Sequence, residues 1–160
     1  MKRTFIRKIA VVMAFAMLLS TVSSKAASKG YYFKNKGVSI SMHSEAANFI
    51  KKAGKPVKLK VKKSCAYEGK DRTYVYKNFV LYTYSNSDKG AEYVNGITFL
   101  NSNVKTAEGI KIGSTYSQMV KKYGKTKNNF GIYTYEKGKC RIQIEIENKK
   151  VKNLRYVATK

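Results

Sequence analysis

Residues 110–125 of this chain read IKIGSTYSQMVKKYGK, and residues 40–55 read ISMHSEAANFIKKAGK. The two stretches align without a gap, and each ends in Gly-Lys shortly after a Lys-Lys pair. Apolar residues recur at three- and four-residue spacing in both, which predicts two short amphipathic helices built on the same plan.

Both predicted helices have recognisable ends. Ser44 in one copy and Ser114 or Thr115 in the other are suitable N-caps. Gly54 and Gly124 can take the left-handed conformation that ends a helix. Helices of about two to three turns are unstable alone in water. Each helix therefore has to pack on other elements, and the rest of the chain supplies strands.

Seven further segments have the alternation or composition of β-strands. They are residues 57–63, 72–77, 79–84, 92–100, 130–136, 140–147 and 151–157. From this order we expect the α+β class. Two tandem helix-plus-antiparallel-sheet units would place both helices on one face of a shared or continuous antiparallel sheet. The other face would stay open to water, as antiparallel sheets allow.

The expected organisation is a single compact domain over residues 27–160 that follows an N-terminal signal. In chain order, the boundaries are a signal peptide at 1–26, a lead-in at 27–37, a first helix/sheet repeat at 38–101, a linker at 102–109 and a second repeat at 110–160. This length suffices for a proper hydrophobic core.

The doubled unit is also the basis of a resemblance. A short helix entered by Ile-x-Ile-Gly-Ser and left by Tyr-Gly-Lys, then antiparallel strands, resembles the beta-lactamase inhibitory protein-like fold over about residues 38–157. It is also similar to small outer-membrane assembly lipoproteins that use a single related unit. The resemblance implies a concave sheet surface, rich in aromatic and polar residues, that grips a partner protein. It further implies an alternative function, the inhibition of a secreted or wall-associated hydrolase.

The N-terminus has the pattern of a secretory signal peptide. Four basic residues lie within the first eight positions, an uncharged apolar run covers residues 9–19, and small residues follow. The run is shorter than the ~20 residues of a transmembrane helix. We therefore expect cleavage near Ala26. The mature protein would be secreted, extracellular or cell-wall associated, without a transmembrane span.

The chain is strongly basic, with 33 lysines and arginines against nine acidic residues and a net charge of +24. This charge predicts attraction to anionic polymers and surfaces. Lysine dominates, whereas base and phosphate recognition favour arginine, so a protein or an anionic cell-wall polymer is expected before nucleic acid. Lys58, Lys60 and Lys62 form the densest basic row. They are candidate partner-binding residues or, alternatively, a charged edge that prevents aggregation.

Thirteen tyrosines and no tryptophan are a second indication of binding, because tyrosine offers a large amphipathic contact surface. In three Tyr-x-Tyr triplets both tyrosines of a triplet share a strand face. These candidate partner-binding residues are Tyr74, Tyr76, Tyr82, Tyr84, Tyr133 and Tyr135. Two alternatives stay open: the tyrosine face is covered by the helices and forms core, or it is the open face and forms a binding site.

Cysteine usage fits an exported chain. Cys65 and Cys140 are an even count and lie in the two predicted repeats. An even count in an exported protein predicts a disulfide between them. Two free thiols are the alternative.

No pattern predicts catalysis, a cofactor or a metal site. His43 is the single histidine, and Glu68 and Asp71 lack the ligand spacing of a calcium loop. Glu145 and Glu147 share a strand face, which makes them the carboxylate pair to weigh for a hydrolase. The sequence predicts instead a monomeric, non-enzymatic binding module. It would recognise a protein or an anionic cell-wall polymer through an open face rich in tyrosine and lysine.

Overall fold

A computed structural model describes residues 30–66 and 68–160. The predicted signal peptide at 1–26 lies outside these residues. The described chain forms ten strands and two helices, in the order β1 (Tyr32–Asn35), β2 (Val38–Ser41), α1 (Ala47–Ala53), β3 (Lys58–Lys63), β4 (Lys70–Val75), β5 (Phe79–Ser85), β6 (Glu92–Phe99), α2 (Tyr116–Tyr123), β7 (Asn128–Asn129), β8 (Ile132–Lys137), β9 (Cys140–Glu147) and β10 (Lys150–Ala158). Neither helix in this part of the chain is long and apolar enough to cross a bilayer.

Eight of the strands form one sheet, in which every neighbouring pair is antiparallel. The order across the sheet is β3-β4-β5-β6-β10-β9-β8-β7, and β1 and β2 form a separate hairpin. The strands β6 and β10 meet in the middle of the sheet, where Ile97 lies opposite Tyr156. Because of this pairing, the earlier and later halves of the chain share a continuous sheet.

Cross-strand pairing divides the sheet into two faces, since successive residues of a strand point to opposite sides. One row of paired residues runs Leu59, Tyr74, Leu81, Ile97, Tyr156, Ile142 and Tyr135. We call its side the covered face, because the hairpin and both helices contribute to the same apolar cluster. The adjacent row points to the opposite side, the open face, and runs Lys58, Val75, Val80, Thr98, Arg155, Gln143 and Thr134.

The β1–β2 hairpin contributes the central residue of the core. Phe33 in β1 is 0% exposed. Its ring centroid lies 5.9, 5.2, 5.3 and 6.3 Å from those of Phe49, Phe79, Phe99 and Tyr156, respectively. The predicted lead-in is therefore an integral part of the fold, because it supplies the aromatic side chain around which α1, β5, β6 and β10 pack.

The helix ends follow the sequence predictions with one exception. Both helices end at the predicted glycines. Thr115 and Gln118 form a capping box at the start of α2, each side chain accepting a hydrogen bond from the other residue's backbone N–H. The exception is Ser44. The N-cap of α1 is Ala46, which makes no side-chain cap, and Ser44 Oγ instead donates to the Ser41 carbonyl at 2.8 Å.

The expected α+β class with two helix-plus-sheet units is wrong: the protein is mostly β. The helices have only seven and eight residues, and each buries a single side chain, Phe49 in α1 and Met119 in α2. Helices this short cannot enclose separate cores with their own strands. The eight-stranded sheet, the hairpin and both helices enclose one apolar cluster instead. The segment predicted as a polar linker joins this interior through Val104 and Thr106, which are buried.

Candidate functional site

The open face has an aromatic centre. Tyr82 on β5 is 37% exposed and lies between Thr73 on β4 and Gly96 on β6. The neighbouring cross-strand row places Thr98 opposite Arg155. Residues from both halves of the chain therefore meet on this face, at the junction of β6 and β10.

A hollow of about 370 Å³ opens at this junction. Its walls are Tyr82, Thr98, Ile132, Gln143, Glu145, Asn153, Leu154 and Arg155. A second depression of about 240 Å³ shares Tyr82, Thr98 and Arg155 with the first. We call the two together the central hollow. It is shaped by β5, β6, β8, β9 and β10, so its geometry depends on the whole sheet.

A glycine and a bulge shape the hollow beside Tyr82. A Cβ atom at Gly96 would lie 3.6 Å from Tyr82 Cδ2 and 3.1 Å from the Tyr156 carbonyl oxygen. The contact with the tyrosine ring would be an ordinary one, whereas the contact with the carbonyl oxygen would be tight, so glycine at this position lets the β10 backbone approach closely. The β5–β6 register also shifts here, and Asn95 is the extra residue. An extra residue in one strand bends that strand and changes the direction of the neighbouring side chains.

Two hydrogen bonds hold planar polar groups in the hollow. Arg155 Nε donates to Gln143 Oε1 at 2.8 Å, and Asn153 Nδ2 donates to Glu145 Oε2. Arg155 lines the hollow and is exposed, and its guanidinium has further N–H donors besides the one at Nε. Planar donors and acceptors beside an aromatic ring suit a ligand that has hydroxyl or anionic groups along an apolar backbone.

The predicted lysine row lies on the same face. Lys58, Lys60 and Lys62 are exposed on the edge strand β3. Lys60 pairs with Thr73, which pairs with Tyr82, so the row and the hollow are about 10 Å apart. Lys62 Nζ lies 3.9 Å from Asp71 Oδ2, an exposed contact that contributes little. The lysine charges are therefore directed mainly at solvent.

The six predicted tyrosines do not share one surface, which corrects the expected tyrosine stripe. Tyr82 and Tyr84 belong to the open face, whereas the covered face holds Tyr74, Tyr76, Tyr133 and Tyr135. Three of these four are at most 7% exposed, and Tyr133 is half-buried. The cause is register: Tyr74 pairs with Leu81, so the next residue, Tyr82, points to the other side.

Two of the covered tyrosines, Tyr74 and Tyr135, make hydrogen bonds within the protein. The Tyr74 hydroxyl donates to Glu92 Oε2 at 2.9 Å, and the Tyr135 hydroxyl donates to the Gly124 carbonyl at 2.9 Å. Burial raises the pKa of Tyr135 to about 12. The hydroxyl is therefore protonated at neutral pH and can keep its hydrogen bond. Tyr74 and Tyr135 therefore belong to the core of the fold and present little of their side chains to solvent.

Tyr84 and His43 form a contact at one end of the open face. The Tyr84 hydroxyl lies 3.1 Å from His43 Nδ1, and His43 Nε2 lies 2.9 Å from the Thr159 carbonyl oxygen. A carbonyl only accepts, so the Nε2–H group donates to Thr159 and Nδ1 pairs with the tyrosine hydroxyl. His43 thus connects the C-terminal residues to β5, which is a structural role.

The two cysteines are free, and the predicted disulfide is not formed. Cys65 is exposed in the β3–β4 loop, and Cys140 is buried at the start of β9. At about 4.8 Å per strand spacing, the sheet order separates these positions by roughly 19 Å. A disulfide needs Cα atoms less than about 7 Å apart.

The carboxylates considered for a hydrolase do not share a cleft. Glu145 lines the central hollow, but Glu147 is not among its lining residues. Lys152 Nζ lies 2.7 Å from Glu147 Oε1 and 3.9 Å from Glu145 Oε1. Glu147 is thus in an ion pair with Lys152, and only Glu145 faces the hollow, so the carboxylate pair that a hydrolase needs is not assembled there. Across the described residues, no group of three or more His, Cys, Asp or Glu side chains could hold a metal ion.

Arg155 and Asn153 were not identified as site residues from the sequence. A partial signal existed for Gln143, which lies between Ile142 and Ile144 and so had to point away from the core. Its contact with Arg155 depends on the β9–β10 register, in which the two residues lie directly opposite. The two-residue turn before β10 sets the start of that register, but the bulge between Val151 and Asn153 shifts it, and no local pattern specifies the bulge.

Comparisons with protein-family models, with curated proteins and with solved structures find no match to this chain. The likeness to the beta-lactamase inhibitory protein-like fold therefore stays a prediction. Its expected pair of helix-plus-sheet units is replaced by the eight-stranded sheet described above. The chemistry of the open face is the basis for inferring what the protein does.

Proposed function

We propose that this protein is an exported, non-enzymatic binding module that holds an anionic cell-wall polymer on the open face of its sheet. The observation that carries the proposal is the continuity between the lysine row and the central hollow. Lys60, Thr73 and Tyr82 follow one another across β3, β4 and β5 on the same face. Export rests on the predicted signal peptide at 1–26.

The two parts of this surface have different roles in the proposal. The lysines attract the polymer, and their contribution falls as salt screens exposed charges. The hollow orients the bound chain: the Tyr82 ring offers an apolar platform, while Gln143, Asn153 and Arg155 offer hydrogen bonds beside it. Attraction and orientation together favour a charged polymer whose repeating units carry polar groups.

An extended ligand fits the geometry better than a compact one. The lysine row and Tyr82 are about 10 Å apart, and Gln143 lies three strands beyond Tyr82 in the sheet order. A polymer chain that crosses the strands can contact the lysine row, Tyr82 and Gln143 at the same time. A small molecule in the hollow cannot reach all three.

Changing Lys58, Lys60 and Lys62 together to alanine is expected to weaken binding to isolated cell walls roughly a hundredfold. A lysine near an anionic surface contributes about 1 kcal/mol, so the three contribute about 3 kcal/mol. Cosedimentation of the mature protein with walls at low ionic strength measures the change. Walls stripped of their anionic polymer should retain neither the original protein nor the variant.

A matched control removes the same charge elsewhere. The variant with Lys121, Lys122 and Lys149 changed to alanine loses three exposed lysines that lie away from β3. It is expected to bind nearly as well as the unchanged protein. Equal losses in both triple variants would show that net charge alone causes binding, which contradicts a site on the open face. Inhibition of a secreted hydrolase without wall binding would contradict the polymer proposal and support the inhibitor alternative.

A further inference from the structure

The strand β3 leaves a long edge of the sheet unpaired. It pairs with β4 over six residues, from Lys58 opposite Val75 to Lys63 opposite Lys70. No strand of the described chain pairs with its other side, and all six of its residues are exposed. The strand at the opposite edge of the sheet, β7, has only two residues. An edge of this length presents free N–H and C=O groups that can pair with another strand.

An apolar row lies along the covered side of this edge. Val57, Leu59 and Val61 are 78, 48 and 51% exposed, respectively. Leu59 belongs to the same cross-strand row as the buried Tyr74 and Leu81. The apolar surface of the core therefore continues onto β3, where neither helix covers it. Large apolar side chains grouped in this way commonly mark an interaction surface.

The other side of the edge carries Lys58, Lys60 and Lys62. A strand added to β3 would place its side chains alternately beside the lysines and beside the apolar row. Its sequence should therefore alternate acidic and apolar residues. Opposite charges across a strand pair are favourable, and like charges directly opposite each other are unfavourable.

The chain itself is a poor source for such a strand. In a second copy, β3 would place lysines opposite lysines on the same face, which is repulsive. The N-terminal residues before β1 contain no aspartate or glutamate, and Glu45 is the first acidic residue of the chain. Residues 144–147 of this chain do alternate isoleucine and glutamate, but they belong to β9, which pairs with β10 on one side and β8 on the other. The complementary sequence therefore has to come from another protein.

We propose that β3 accepts an extended segment of a partner protein, with alternating acidic and apolar residues, as an additional strand of the sheet. This interaction uses the backbone edge and the apolar row, which the polymer site does not require, and it shares the lysines of β3 with that site. Main-chain hydrogen bonds provide affinity in such strand addition, and alternate side chains provide specificity.

Synthetic peptides of about eight residues, the length of an ordinary strand, test the proposal on the mature protein. One peptide alternates glutamate and valine, a second has the same composition with the two residues in blocks, and a third alternates lysine and valine. Amide hydrogen exchange resolved by residue is the measurement. We expect the first peptide alone to slow the exchange of those β3 amides that exchange rapidly in the free protein.

A double variant tests the apolar row. Changing Leu59 and Val61 to alanine should weaken binding of the alternating acidic peptide about tenfold, since two cross-strand pairs are lost. The matched control changes Leu100 and Phe130 to alanine. These side chains are 48 and 99% exposed and lie outside β3, so their removal should leave the affinity for the peptide unchanged. Equal binding of the alternating and blocked acidic peptides would overturn the proposal, because charge alone would then explain binding. The proposal would also be overturned if, without peptide, the β3 amides became protected from exchange as the protein concentration rises. The strand paired with β3 would then come from a second copy of this chain.

Discussion

Replacing Phe33 with alanine is expected to lower the free energy of unfolding by about 3–5 kcal/mol. The side chain is 0% exposed and is enclosed by the rings of Phe49, Phe79, Phe99 and Tyr156. Its removal leaves a cavity that aromatic neighbours held by the sheet cannot easily fill. Domains of this size are stable by about 5–15 kcal/mol in total, so this single change removes a large fraction.

Urea unfolding followed by far-UV circular dichroism measures this effect. Lys34→Ala is the matched control, because Lys34 follows Phe33 on the same strand and is exposed. Its free energy of unfolding should stay within about 0.5 kcal/mol of the original. If Phe33→Ala were equally mild, the β1–β2 hairpin would not be part of the core, and the account of the fold would fail.

Raising the pH from about 8 to about 12 is expected to unfold the protein. Burial is the main cause that raises the pKa values of Tyr74, Tyr123, Tyr135, Tyr156 and Cys140 above their ordinary ranges. For Tyr135 and Cys140 the pKa values are raised to about 12. The folded state thus favours the protonated, uncharged form of each group.

The sign of the pH dependence follows from this preference. A group whose pKa is higher in the folded state contributes its full stabilisation below its unfolded pKa, which is about 8.5 for cysteine and 10 for tyrosine. That contribution is lost as the pH rises towards the folded value. One pKa unit corresponds to about 1.4 kcal/mol. Ionisation of Tyr135 and Cys140 alone therefore lowers the free energy of unfolding by several kcal/mol. The loss is comparable with the whole stability of a small domain.

Two signals recorded in one alkaline titration test this prediction. The absorbance of tyrosinate should rise together with the loss of far-UV circular dichroism. Tyr76→Phe is an informative variant, because the buried Tyr76 hydroxyl has no hydrogen-bond partner among the described residues, and burial raises its pKa. Its removal should move the unfolding transition to higher pH. Complete ionisation of the tyrosines with an unchanged dichroism spectrum would contradict the burial of these groups.

Local structure was largely predictable from the sequence. The alternation of apolar and polar residues identified β9 over residues 140–147, as observed. The short gap before the next predicted strand at 151–157 left room only for a tight turn, and Asn148 and Lys149 have the positive φ of one. Capping chemistry predicted that α2 starts at Ser114 or Thr115, and Thr115 is the observed N-cap. These features depend on interactions within a few residues, which a local pattern specifies directly.

The assignment of strand faces was not predictable. Tyr74-Val75-Tyr76 and Tyr82-Thr83-Tyr84 are nearly the same motif, yet their tyrosines lie on opposite faces of the sheet. The β4–β5 hairpin sets this relation, because a shift of one residue in register would reverse the faces. That register cannot be predicted from the amino-acid composition of the two segments.

The fold class and the site both depend on long-range pairing. The β6–β10 contact converts two groups of strands into one sheet and places Arg155 near Tyr82. The burial of Phe33 likewise requires that the N-terminal hairpin reach residues more than forty positions later, such as Phe79. The repeated helix suggested two units because it is the most regular local feature, but short helices do not determine how strands assemble.

On our proposal, the open face binds an anionic polymer and the covered tyrosines do not contact it. Chemical-shift mapping by NMR distinguishes the two faces when a soluble anionic wall polymer is titrated into the labelled mature protein. We predict shifts at Lys58, Lys60, Tyr82, Thr98 and Arg155, with none at the buried Tyr74, Met119 and Tyr135. Shifts confined to the covered face or to the helices, with Tyr82 and Arg155 unaffected, would contradict the account.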